Sequence, residues 1–501
     1  MGQIVRECGG MKYVRACVAA VCMFSACTAS APPAGRQVWS GQARALVTTK
    51  SGSALAWLAA AHAPNERGAP PDLLVGRLMM AETAPGAAAR DLGEGVTSLE
   101  GSEAFSPDGA FVAWLAKWRF ANGNGELWIA SVSGGVSTKL CDAASTFVLA
   151  DADVTAICDG ALWRGGRGGA VFREVHRPAR EFENAQDGIV ARGPSGLGGK
   201  LVYVTGSDAR PLAEGTGDFA LSPDRATVAW TAGPQVHVLR LADNAAVAAN
   251  SPRPPSRIAL APDRLAAVYL VPQEKNPTYQ DLFFTGNPAP VLVGRRVGDF
   301  SFGAAGALAY LENYDAQRRV GVLTVLSGMK SHVIAKSVQD FSWSPSGHFI
   351  SYLVRNAKVG FTIELWIASG EAGTPHKVDE GVWGYQLSPD ERRLYYKARC
   401  GEGARSCAVL VQPIEGGATA KVAEKIAGFE LSRDGRHLLL LAPHHGSQAA
   451  VDLRGVPANG GEPTPIARNA EPGARLLGDG ASVAFVENDS KHAGVWIATL
   501  P

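Results

Sequence analysis

Charge is scarce in this chain. Of 501 residues only 19% are charged, 48 basic against 47 acidic, so the formal net charge is +1. Phosphate binding needs clustered cations, and groups as short as Lys117-Trp118-Arg119 and Arg295-Arg296 do not supply them. Nucleic acid is therefore excluded as an expected partner. Intrinsic disorder is excluded as well, because 46% hydrophobic content at near-zero net charge lacks the polar bias of an unfolded chain. Helical periodicity of useful length is missing beyond the first residues, as is any apolar run of the ~20 residues that a membrane helix requires. No Gly-x-Ser-x-Gly elbow occurs, which argues against a serine hydrolase domain, and no Cys-x-x-Cys or His-x-x-His spacing suggests a metal. No metal and no cofactor are expected. The runs Gly165-Gly166-Arg167-Gly168-Gly169 and Gly196-Leu197-Gly198-Gly199 lack the Lys-Ser/Thr of a phosphate loop and read as plain loops.

Cysteine is sparse too. Of eight, four lie within the first 27 residues, leaving Cys141, Cys158, Cys400 and Cys407. Cys400 ends one apolar strand candidate and Cys407 begins the next, so a disulfide can close that hairpin, and Cys141 and Cys158 can pair between neighbouring units. Such pairing fits an oxidising compartment.

What the chain does have begins with an address. Met11-Lys12-Tyr13-Val14-Arg15 gives a short cationic region, Ala16 to Phe24 an apolar one, and Phe24-Ser25-Ala26-Cys27 a cleavage site with small residues before a cysteine. This resembles a bacterial lipoprotein signal. The resemblance implies a signal peptide over 1–27, lipid on Cys27 as the membrane contact, a tether over 28–45, and a place at the cell envelope. With Thr28 after the lipidated cysteine, the outer membrane is the expected site, facing periplasm or exterior.

The remaining chain is a repeat. One unit reads Phe105-Ser106-Pro107-Asp108-Gly109, followed by Phe111-Val112-Ala113-Trp114. It recurs at Ser222-Pro223-Asp224, Pro262-Asp263, Ser344-Pro345-Ser346-Gly347, Ser388-Pro389-Asp390, Ser432-Arg433-Asp434-Gly435 and Gly478-Asp479-Gly480, with a degenerate copy at Phe302 to Gly306. From Asp224 to Asp479 the intervals are 39 to 45 residues. Weaker copies centred on Ser51, Asp151 and Asp187 bring the count to about eleven. A second landmark keeps step: Trp128 and Trp366, both in Glu-Leu-Trp-Ile-Ala-Ser, follow Asp108 and Ser346 by 20 residues each.

The unit's physics is that of β-structure. Proline fixes φ, aspartate accepts backbone N–H bonds and glycine tolerates positive φ, which together set a tight turn. Apolar β-branched and aromatic residues then give strands. Four short antiparallel strands per ~40 residues predict an all-β propeller. Eleven units exceed the roughly four to eight blades of a usual ring. The expectation is therefore two rings of five and six blades, 46–250 and 257–501, divided at Ser251-Pro252-Arg253-Pro254-Pro255-Ser256, with one large ring as the alternative. The last unit reaches Pro501 just after its third strand, so an upstream segment, Arg44 to Thr49, is expected to supply the closing strand.

These motifs resemble the WD40-like (PD40) repeats of TolB-like propellers. The resemblance implies fold rather than activity, since the repeated residues build blades. The function expected is a non-enzymatic scaffold that binds envelope proteins, peptides or an envelope polymer; the alternative is a hydrolase or lyase with its site in the central channel. Long loops at 271–281 and 62–72 are candidate surfaces, whereas His444-His445-Gly446-Ser447 reads as a solvated loop and Asp151-Ala152-Asp153 as an incomplete calcium loop. Substituting Cys27 by Ala should abolish incorporation of a fatty-acid probe in the native host; labelling that persists would remove the lipid assignment.

Overall fold

The structure is a computed structural model. It describes residues 34–501 apart from 65–73, 97–104, 151, 168–170, 195–198, 207, 286–288, 305, 329, 357–361, 371–372, 402–405, 446, 448 and 490. The expected signal peptide with Cys27, most of the 62–72 loop, and the turn positions Asp151 and Ala305 lie outside the described residues. Among these, regular structure is all strand, and the strands pair as seven antiparallel sheets.

Three of the larger sheets are joined by long strands, Thr138–Leu149, Asp208–Leu221 and Lys330–Trp343. Each shifts register part-way, at Ala144/Thr146, Thr216/Phe219 and Val338/Asp340. Such a bulge bends a strand and sharpens its twist. One end of each long strand is thus the outer strand of one four-stranded group and the other end the inner strand of the next. Read this way, the pairings resolve into groups of four, consecutive in sequence except for the last, each with a Ser-Pro-Asp-Gly-type turn between its first and second strands; before Ser106 the first strand is represented among the described residues by Phe105 opposite Val112. Asp187 lies in such a turn, between Glu181–Asn184 and Ile189–Arg192.

Apolar residues in the second strands occur as runs rather than in alternation because both faces are covered. In Ala54–His62, Ala56 and Leu58 pack into a cluster with Val112 and Trp114, while Leu55 and Trp57 pack into another with Ala484 and Val486. Leu438 and Leu440 face Tyr395 and Val409, and Leu439 faces Val483 and Phe485. The same strand position carries aromatic pairs across the second and third strands: Trp114 on Trp128, Tyr269 on Phe283 and Tyr352 on Trp366, with centroids at 6.4, 5.9 and 6.5 Å. The Glu-Leu-Trp-Ile motif also pins its tryptophan, since the indole N–H of Trp128 donates to Glu126 and that of Trp366 to Glu364, both at 3.0 Å.

Two expectations change. The stretch 251–256 is not a break in packing: Ala229, Val236 and Val238 before it share one cluster with Ile258, Leu260 and Tyr269 after it. Residues 33–501 form one compact unit. The first and last groups also pack together, through Leu46, Leu55 and Trp57 against Leu477, Ala484 and Val495. The closing strand is Arg36–Ser40 instead of Arg44 to Thr49. It pairs with Gly494–Thr499, Arg36 opposite Ile497 and Ser40 opposite Gly494. Ala43–Thr48 is the first strand of the opening group, since its Ala43, Leu46 and Val47 are needed in the core between groups. The expected tether over 28–45 therefore enters the folded body within its last ten residues.

Removing residues 34–41 exposes the edge of Gly494–Thr499 and uncovers Val495 and Ile497. We expect the melting temperature to fall by about 5 °C; an unchanged calorimetric melt would show that Arg36–Ser40 does not close the fold.

Candidate functional site

The repeated turn residues are used up in building the turns. Ser106 Oγ donates to Asp108 Oδ1 at 2.6 Å, and the same oxygen accepts from Ala110 N at 3.0 Å, while Phe111 N donates to Ser106 Oγ. Ser388 with Asp390 and Ser432 with Asp434 repeat the first bond at 2.6 Å, Ser222 with Asp224 repeats it too, and Asp479 accepts from Ala481 N. These bonds, with Arg167 at 2.5 Å, hold the Asp108 carboxyl down at about 2. The prolines Pro107, Pro223, Pro262, Pro345 and Pro389 stand at their expected turn positions. Asp263, whose turn lacks the serine, pairs with Arg264. Gly109 and Gly435 both have φ of +73°.

The four cysteines are joined as Cys141 to Cys158 and Cys400 to Cys407. Cys141–Cys158 bridges the bent strand Thr138–Leu149 and its neighbour Asp153–Cys158, and Cys400–Cys407 closes the hairpin loop after Arg393–Ala398.

Strand direction puts the turns between first and second strands on one face. The loops between second and third strands, and those linking groups, lie on the other. The 271–281 loop belongs to this second face and is tightly held. Gln273 N donates to Tyr279 O at 2.9 Å, Gln273 Nε2 to Asp281 Oδ1 at 2.7 Å, and Arg296 N to the same Asp281 oxygen at 2.9 Å. The Arg296 guanidinium covers the Tyr279 ring at 4.8 Å, and Arg253 reaches Pro272 O and Glu274. Glu274 to Thr278 project from this base and are exposed. Trp383, in a linking loop of the same face, is 59% exposed.

The first strands face the ring's interior and carry a row of polar residues that reasoning from the turn motif passed over. Asp218, Asp299 and Asp340 hold the same register, each accepting from the next phenylalanine N–H at 3.0, 2.9 and 2.8 Å. Arg257 occupies the equivalent place between the first two and donates to Asp299 Oδ1 at 2.7 Å. The signal was available: at these three places an Asp-Phe pair begins four residues before the turn residue Ser222, Gly303 or Ser344. Burial raises the carboxyls of Asp218 and of Glu183, which lies beside it.

His444 does not stand free in its loop. Its Nδ1 lies 2.7 Å from Asp452 Oδ1, which also accepts from Asn469 N. Ser447 Oγ is occupied by Ala449 N. Close by, Glu487 is 2% exposed at the joint where Ala470 pairs with it, connecting the last two groups. Its Oε1 accepts from Asp489 N at 3.2 Å, and Oε2 has no partner among the described residues. Burial pushes this carboxyl up to about 7; the Asp489 charge adds to that rise, while backbone N–H groups and His444 oppose it. Among the described residues no group of three His, Cys, Asp or Glu side chains is placed to hold a metal.

No family model matches the sequence, and no curated protein matches it. Solved structures do resemble the fold. A putative TolB from Agrobacterium tumefaciens is 12% identical over 59% of this chain and 94% of its own, with a TM-score of 0.27. An oligogalacturonate lyase in complex with manganese is 12% identical over 94% and 98%, with a TM-score of 0.34. The tricorn protease is 12% identical with a TM-score of 0.29; the match covers 90% of this chain but only 52% of that one. The fold is a β-propeller. At these identities the likeness extends to fold alone, and both enzymes and binding proteins share it.

The raised Glu487 carboxyl ties stability to pH. Its ordinary value is 4.5 and its folded value about 7, so its favourable contribution is complete below pH 4.5 and is lost as pH rises through about 7. Glu487→Gln should equal the parent protein near pH 4.5 and exceed it by about 3 kcal/mol at pH 8 in urea unfolding. Parallel stability curves for the two proteins would disprove the assignment.

Proposed function

We propose that this chain is a non-enzymatic, lipid-anchored protein of the cell envelope whose propeller binds another envelope protein or peptide, or an envelope polymer, through the face opposite its Asp-Gly turns. The observation that carries this reading is the 271–281 loop. Its base is fixed by Gln273, Asp281, Arg296 and Arg253, while Glu274 to Thr278 are exposed. A loop ordered before binding loses little conformational entropy when a partner docks. The same face carries the disulfide-braced hairpin at Cys400–Cys407 and the exposed Trp383, and aromatic anchors are enriched in protein interfaces.

The envelope address rests on the signal-like leader with Cys27 and on two disulfides in separate parts of the ring, which suit an oxidising compartment. A hydrolase or lyase in the channel would draw support from acids and histidines converging there. The acids Asp218, Asp299 and Asp340 instead cap their own backbones, and the His444–Asp452 pair lies on the third strand and loop of its group, away from the first strands.

Crosslinking from intact envelopes, followed by mass spectrometry, tests the surface. Replacing Glu274 to Thr278 by Gly-Ser repeats, together with Trp383→Ala, should weaken partner capture about tenfold or more while the melt stays unchanged. Equal capture by the folded variant would place the docking surface elsewhere.

A further inference from the structure

On the inner wall, where the ring closes, the first strands of four groups surround a cavity of about 370 Å³. Gln386, Glu430 and Arg475 occupy one register on three adjacent first strands, opposite Tyr395, Leu439 and Ala484 of their second strands. Thr48, Thr49, Lys50 and Arg433 complete the polar lining. Closure itself builds this wall. Arg433 Nη1 donates to Lys50 O at 2.6 Å, spanning the intervening turn at Gly478. A side chain at Gly478 could not fit there, because its Cβ would lie 2.0 Å from Ser51 O.

The charge here is reversed relative to the rest of the inner wall. Elsewhere the first strands carry Asp218, Asp299, Asp340 and Glu183 against Arg257, whose guanidinium is paired with Asp299; this cavity holds three cations, Lys50, Arg433 and Arg475, against one carboxylate. Neither the Lys50 ammonium nor the Arg475 guanidinium has a hydrogen-bond partner within 3.5 Å among the described residues. Gln386 Oε1 accepts from Leu431 N at 3.0 Å, which orients the side-chain amide; among the described residues its two N–H donors have no partner. Glu430 is half-buried, and burial raises its carboxyl against the pull of Arg475. A guanidinium, an ammonium and an amide donor together suit a carboxylate. A carboxylate at Glu430's position suits a donor a few ångströms from that ligand group.

We propose that this cavity binds a carboxylate-bearing ligand, gripped by Arg475, Lys50 and the Gln386 amide, with Glu430 accepting from an adjacent N–H or hydroxyl of the ligand. The carboxylate can come from a peptide C-terminus or from a small acid. The site goes beyond the loop-face reading and does not depend on it.

Calorimetric titration of the full chain with tri-alanine, tri-alanine amide and acetate tests the proposal. Tri-alanine should saturate, the amide should bind at least about tenfold more weakly, and Arg475→Gln should cost about tenfold or more, as loss of a charge-assisted hydrogen bond implies. Acetate binding as tightly as tri-alanine would identify a small acid as the source, and much weaker acetate binding a peptide C-terminus. Asp299→Asn, elsewhere on the wall, should change nothing. The 274–278 loop variant should bind tri-alanine normally, so failure here and failure of the loop surface are separable. If Arg475→Gln does not fold by circular dichroism, Lys50→Met makes the same comparison. Equal affinity for acid and amide, no saturation by either carboxylate, or an unchanged affinity in the folded variant would overturn the site.

Discussion

The structure depends on one contact, made repeatedly: the turn of each group seats against the turn of the group before it. A Cβ on Gly306 would lie 2.6 Å from the Asp263 carboxyl, and one on Gly480 would lie 2.7 Å from that of Asp434. Glycine there supplies positive φ, +83° and +69°, and also leaves room for the neighbouring aspartate. Where another residue stands, it reaches across instead. Arg225, at φ +62°, donates to Asn184 O and pairs with Glu183; Glu391, at +53°, accepts from Ser346 N at 2.7 Å. The left-handed conformation is costly for such residues, and the bond between groups offsets it. Asp108 with Arg167 makes a like link to the following group.

Because that seating sets the spacing between groups, each second strand lies between two neighbours and is buried on both faces. This explains why the chain can be near-neutral and Gly-rich yet hold a continuous core. Its apolar residues lie in runs such as Ala54 to Ala59, whose alternate side chains serve two clusters. Function is then left to what the seating does not consume: the loops of the opposite face and the polar residues of the first strands.

Much of the fold could be read from the sequence. The Ser-Pro-Asp-Gly interval, the Trp offset and the cysteine positions each reflect chemistry confined to a few consecutive residues or to one hairpin. The candidate sites were less legible. Asp218, Asp299 and Asp340 were visible as Asp-Phe pairs, yet their inward direction follows only from the register of the first strand. Gln386, Glu430 and Arg475 are 44 and 45 residues apart in the chain, and nothing local marks them as neighbours.

The sequence by itself determined the repeat, its turns and its strands, because a tight turn and an apolar strand are set by propensities acting over five to ten residues. Tertiary structure alone decided that Arg36–Ser40 closes the fold, that packing continues across 251–256, that Arg433 reaches the Lys50 carbonyl, and that Lys50 and Arg475 line one cavity. Those choices depend on which edge remains unpaired and which apolar face remains uncovered once all the groups are in place. Such quantities belong to the closed circuit and have no representation in any single unit.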